Sequence, residues 1–172
     1  LANEEHYARL REGVQAWNEW RLKNPEIILE LSGADLSNID LNGANLHGVN
    51  LSEANLAKAN LSYSDLSVSL LNNANFSEAI LTQANLSCSE IREANLNRAI
   101  LSEANLSEAN LSRANLNTAF LSKANLSRAI LSEANLSEAN LSRANLSRAF
   151  LRGCLKSRRD GKKALSVYAV NR

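Results

Sequence analysis

One apolar position recurs every five residues along most of this chain. From Leu36 to Leu151 it is filled 24 times in succession, by Leu everywhere except at Phe76 and Ile91. Two residues before it stands a small or apolar residue: Ala in 19 of the 24, and Ile39, Val49, Ser64, Ser69 or Ser89 in the others. The residue directly before it is Asn or Asp in 17. Ser mostly follows it, and the next position carries most of the charge, so the unit reads Ala-Asn-Leu-Ser-X; Leu31 fits an incomplete first unit. Period five suits neither regular element. On an α-helix each such step leaves a net turn of about 140°, which scatters the leucines around the axis. In a continuous strand an odd step sends them to alternate faces. The Ala and Leu of one unit are two apart, however, and in an extended segment they point the same way. Each unit is therefore a short extended piece with two inward side chains, followed by a turn. Repetition at a constant angle gives a β-solenoid whose thin core takes Ala beside Leu because two large residues would not fit across it.

The run of units such as ANLSE, ANLSR and ANLNT resembles the pentapeptide repeat family, over about 70% of the chain. That resemblance implies an all-β solenoid, a right-handed quadrilateral β-helix with about 20 residues per coil and about six coils, roughly 29 Å long at about 4.8 Å per coil. The opening segment, with VQAWNEW followed by Pro25, is similar to cyanobacterial members that carry a leading helix.

The two ends depart from the unit. Residues 3–23 are expected to form one amphipathic helix, with Tyr7, Leu10, Val14 and Trp17 on a single apolar face and Pro25 as a stop. Because a solenoid end exposes unpaired backbone and apolar core, this helix is read as an N-terminal cap. The expected organisation is a capping helix and lead-in over 1–30, the repeat over 31–153, and a basic C-terminal cap or tail over 154–172.

Composition follows from the unit: Leu, Ala, Asn and Ser account for 100 of 172 residues. Charge sharpens the picture. The net charge is −2 over residues 1–30, −2 over 31–153 and +5 over 154–172. Such a body carries no basic stripe for nucleic acid and no acidic surface to mimic it. The basic patch of Arg158, Arg159, Lys162 and Lys163 could touch phosphate or anionic membrane, although a solvated loop around Gly161 is the plainer reading. No transmembrane segment is expected, because polar residues interrupt every apolar run. Residues 1–30 lack the apolar core of a secretory signal, which makes the cytoplasm the default compartment. The chain opens on Leu1 rather than Met, so a removed upstream targeting segment stays compatible with it.

Variation at the outward Asn position narrows the search for a surface. Apolar residues replace Asn at Leu70, Ile80, Ile100, Phe120, Ile130 and Phe150. At 20 residues per coil, Ile80, Ile100 and Phe120 stack on one face, and Ile130 and Phe150 on the opposite face in line with Leu70. Residues 100–129 and 130–159 share Ile at the start and Phe 20 later, which marks a duplication of 30 residues, or one and a half coils. These stripes are candidate partner surfaces; the alternative is that they are products of duplication, partly covered by flanking side chains. At position X, Glu93, Arg113 and Glu133 stack in order, as do Glu78 and Arg98, and read as exposed ion-pair ladders.

Nothing points to catalysis. His6 and His47 lie on the leading helix and at an outward position of an early coil, and no third partner completes a nucleophilic triad. No Cys-X-X-Cys or His-X-X-X-His spacing suggests metal, no cofactor is expected, and a filled thin core leaves no pocket. Cys88 and Cys154, more than three coils apart, are too far for a disulfide; Cys154 is expected inward and Cys88 outward. The expected function is therefore a non-enzymatic protein-interaction or scaffold module with an unidentified protein partner, and with weak self-association through the apolar stripes or the C-terminal end. The resemblance also implies an alternative, a DNA-mimic inhibitor or protector of DNA gyrase, which the near-neutral body disfavours.

Overall fold

The structure is a computed structural model that describes residues 2–156. Its body is a stack of coils in exact register, each 20 residues above the last: Asp35 bridges Asn55, Asn55 bridges Asn75, and so on in parallel up to Ile130 and Phe150. Four units and four turns complete a coil, so its cross-section has four sides. Leu31 is a full member, fully buried, and its N–H donates to Asn50 O at 2.8 Å.

The unit closes because all five of its N–H groups find acceptors. In Ala104–Glu108, Ala104 N–H donates to Leu101 O (3.1 Å) and closes the turn. Asn105 N–H donates to Ala84 O in the coil below (2.9 Å), while Leu106 and Glu108 donate to Asn125 O and Ser127 O above (2.7 and 2.9 Å). Ser107 N–H, which faces no neighbouring coil, is taken by the Asn105 Oδ1 at 3.1 Å. Asn or Asp thus serves the turn itself, as an Asx turn.

The turn has a conformational cost. Position X sits in the left-handed region, with φ from 56° to 61° at 21 non-glycine residues and 68° to 72° at Gly33, Gly43, Gly48 and Gly153. A left-handed L-residue costs about 1–2 kcal/mol. The inter-coil bond from its N–H and the burial of Leu and Ala on either side offset this.

Extended backbone lasts only two or three residues between turns, so regular strands are scarce. The two named ones, β1 (Asn135–Leu136) and β2 (Leu155–Lys156), pair in parallel, and the other rungs are single-residue bridges. The core is a column of Leu and Ala, nearly all fully buried from Leu41 to Ala134. Ser64, Ser69 and Ser89 take inward Ala positions, and their hydroxyls donate to the carbonyls of Leu61, Leu46 and Leu86 respectively. Leu141, Leu146 and Leu151 in the last described coil are only half-buried.

The leading segment forms two helices rather than the single one expected over residues 3–23. The helix α1 spans Glu4–Arg11 and α2 spans Val14–Lys23. Gly13 separates them at φ 115°, a conformation a side chain would strain, and so lets the chain turn between two short apolar faces. Leu10 and Trp17 are buried; Tyr7 and Val14 are only half-buried against the core. Polar groups of the segment satisfy the lower edge of the first coil. Asn3 N–H donates to Glu30 O (2.8 Å), Tyr7 Oη to Asp35 O (2.9 Å), Trp17 Nε1 to Asn45 O (2.8 Å), and Asn18 Nδ2 to Gly43 O (3.0 Å). In the reverse sense Glu30 N–H donates to His6 Nδ1 (3.1 Å) and Asn45 N–H to Asn18 Oδ1 (2.8 Å). Each would otherwise be an open sheet edge.

Candidate interaction surface

The four sides of the body are of two kinds. On one side the outward residues are Asp35, Asn55, Asn75, Asn95, Asn115 and Asn135, and each Asn amide donates to the residue below, at 3.0–3.4 Å. On the opposite side Asn85, Asn105, Asn125 and Asn145 run up from Asp65 the same way, at 3.1–3.3 Å. These ladders are continuous. The other two sides are broken by the apolar residues. Ile80, Ile100 and Phe120 bridge in register above Asn60; Leu70, then Glu90 and Asn110, then Ile130 and Phe150 fill the opposite side. The stacking expected for the stripes is therefore present, with Glu90 and Asn110 dividing the second. Ile80, Phe120, Leu70 and Phe150 are exposed, at 38%, 49%, 45% and 62%, whereas Ile100 and Ile130 are half-buried. The basic patch of Arg158, Arg159, Lys162 and Lys163, and the rest of the C-terminal tail, lie outside the described residues.

Corner charges differ between the sides as well. Beside the Ile130–Phe150 side, Arg113 lies 3.4 Å from Glu93 and 3.6 Å from Glu133, and Arg128 pairs with Glu108 at 3.1 Å. Around the Ile80–Ile100–Phe120 side, Lys123 pairs with Glu103 at 2.9 Å. At the other corner of that side Lys58, Glu78, Arg98 and Glu138 make no ion pair among the described residues. Glu78 and Arg98, both exposed, stack as expected but form no ion pair among the described residues. The Lys123 hydrogen bond and charge, with a weaker bond from Gln83, hold the Glu103 carboxyl below its ordinary range. Hydrogen bonds from the Ser37 side chain and backbone, then from Asn55, do the same for Asp35. Burial lowers the Arg21 guanidinium, whose NH1 donates to the carbonyls of Asn24 and Ile27.

Both histidines have structural partners. His6 is bound to Glu30 N–H and packs on Trp20, with ring centroids 5.8 Å apart. His47 Nδ1 lies 2.9 Å from Ser67 Oγ. Cys88 is an exposed free thiol; Cys154 packs partly against the core. Among the described residues no three His, Cys, Asp or Glu side chains gather as a metal site, and no helix is long and apolar enough to cross a membrane. Sequence reasoning missed two features. The asparagine ladders were legible as a recurring Asn or Asp position but not as a bonded column. The left-handed turn was signalled by the glycines at position X.

No curated protein matches the chain. Among solved structures it is similar to a pentapeptide repeat protein from the thylakoid lumen of Arabidopsis thaliana, with 29% identity and a TM-score of 0.59 over 64% of this chain and 75% of that one. It is also similar to HetL, a pentapeptide repeat protein involved in heterocyst differentiation regulation in the cyanobacterium Nostoc, with 28% identity and a TM-score of 0.26 over 73% and 85% of the two chains. A third is QnrB1, a plasmid-mediated fluoroquinolone resistance protein, with 16% identity and a TM-score of 0.45 over 81% and 90%. The sequence profile of pentapeptide repeats matches residues 30–67, 50–87, 59–98, 89–128 and 119–155. With its five-residue unit and its 20-residue register, the chain belongs to the pentapeptide repeat family.

Proposed function

We propose that the protein is a non-enzymatic protein-interaction module that presents its two apolar-interrupted sides to a partner. The observation that supports this reading is the contrast between sides. Asn serves the turn wherever it occurs, yet on two opposite sides it is replaced by exposed apolar residues stacked coil upon coil. Each replacement forfeits the Asx bond to the following N–H and leaves an apolar side chain outward on the same two sides. The test is an affinity pull-down from the source organism with the wild type and Ile100→Asp/Phe120→Asp side by side, after a thermal melt of both. Loss of the captured partner with an unchanged melt supports the reading. An unchanged capture, or unfolding of the variant, overturns it. The gyrase reading finds no support in a body of net charge −2, and a supercoiling assay without inhibition at micromolar protein would remove it. Residence in the cytoplasm remains the accompanying expectation.

A further inference from the structure

We infer that the Ile80–Ile100–Phe120 side docks a second copy of this chain, side by side and parallel, about a two-fold axis along the rod. The inference rests on the interaction-module reading and names its occupant. The side is bounded by two corner columns. One carries Lys58, Glu78, Arg98, Thr118 and Glu138; the other carries Tyr63, Gln83, Glu103, Lys123 and Arg143, each at the same level as its counterpart. A two-fold axis along the rod keeps levels together and exchanges the corners. Lys58 then faces the second copy's Tyr63, Glu78 its Gln83, Arg98 its Glu103, Thr118 its Lys123, and Glu138 its Arg143. No row sets like charge on like charge. Rows of Arg against Glu and Glu against Arg are attractive, and Lys against an exposed Tyr ring is a cation–π pairing. On the midline Ile80, Ile100 and Phe120 each meet themselves, so the whole stripe is covered.

The corner charges agree with this arrangement. Lys58, Glu78, Arg98 and Glu138 have no ion-pair partner within the described chain, whereas the charges flanking the opposite side are largely paired to one another. That opposite side is unsuited to the same contact, because Glu90 lies on its midline and would meet its own copy. Antiparallel docking centred on Ile100 puts Arg98 on Arg98 and Glu103 on Glu103. Centred between Ile80 and Ile100, it leaves Phe120 on Asn60. Five rows at about 4.8 Å reach only about 20 Å along the rod; over a face of comparable width that is roughly 400 Å², about half the roughly 800 Å² per partner of a stable interface. The contact is therefore weak and reversible.

Sedimentation equilibrium of the full chain under reducing conditions, from roughly 10 μM to 1 mM, tests it. The wild type is expected to dimerise with concentration. Arg98→Glu alone and Glu103→Arg alone each place like charge on like charge in two rows and should weaken the dimer about tenfold. An equimolar mixture of the two single variants should form the mixed dimer at near wild-type strength, since every altered row is again Glu against Arg. A wild type that stays monomeric throughout, a dimer indifferent to either charge reversal, or a mixture no stronger than the single variants overturns the inference. None of these results touches the capture of a different protein in the pull-down, so the two readings fail separately.

Discussion

The ladder sides and the apolar sides of this rod share a backbone and a register yet differ in what their outward residue does. On the side running from Asp35 to Asn135, each amide holds the N–H two residues ahead in its own turn and the amide one coil below. The side chain is used up by the fold, leaving little for a partner. At Ile100 neither bond is made. Ser102 N–H loses its Asx acceptor, and an apolar side chain takes up the outward position. The comparison teaches that one position serves either the fold or the surface, and that in this chain the division runs by side rather than by coil.

The largest expected effect comes from breaking what both kinds of side stand on. Leu106→Asp buries a carboxylate in a column with no polar partner and should unfold the protein or cost more than about 4 kcal/mol in chemical denaturation. A variant that melts like the wild type would mean the core is not the shared support. Next is the plug beneath both sides. Trp17→Ala removes a fully buried indole and the bond to Asn45 O, and should cost about 3–5 kcal/mol. Hydrogen exchange should rise first in the lowest coil.

The comparison itself is tested by two exchanges at equivalent positions. Asn95→Ala removes the acceptor for Asn97 N–H and interrupts the ladder between Asn75 and Asn115, and should cost about 1–2 kcal/mol. Ile100→Asn restores an Asx acceptor for Ser102 N–H and should leave stability within about 0.5–1 kcal/mol of the wild type, on the stabilising side. Equal losses at both sites, measured by urea titration, would erase the distinction between the sides.

The smallest effect is in acid. Asp35 at the base of one ladder and Glu103 beside an apolar side both titrate below the ordinary carboxylate range in the folded chain. Each therefore adds stability that is present above the ordinary range and is lost as pH falls through its lowered value. Added salt should shrink the Glu103 contribution, which rests partly on the Lys123 charge, and leave that of Asp35, which rests on neutral donors. Thermal melts of Asp35→Asn and Glu103→Gln across pH at low and high salt separate the two.

Much of this architecture was legible in the residues. Leu36 and its successors at five-residue intervals, with Ala two before, required short inward-facing pieces and a turn. The pairing of Ile80 with Ile100 and of Ile130 with Phe150 followed once a coil held four units. The break of the leading helix at Gly13 was missed because Leu10, Val14 and Trp17 keep helical spacing across it; a periodic apolar face is blind to a kink that preserves its phase. The ladders were missed for a related reason. An Asn or Asp at 17 of 24 outward positions looks the same whether its side chain meets water, its own turn or the coil below.

What the sequence determined alone is the five-residue repeat and its core, because these depend on which side chains avoid water and on a spacing repeated without interruption. The tertiary structure decided how that repetition is used. Stacking at 20 residues brought amides into bonding distance in continuous ladders along two sides and apolar residues into register along the other two. It also separated corner charges that pair within the chain from those, such as Arg98 and Glu138, that do not. Such distinctions lie between coils, in distances of a few ångströms, and a one-dimensional pattern carries no information about them until the coil has closed.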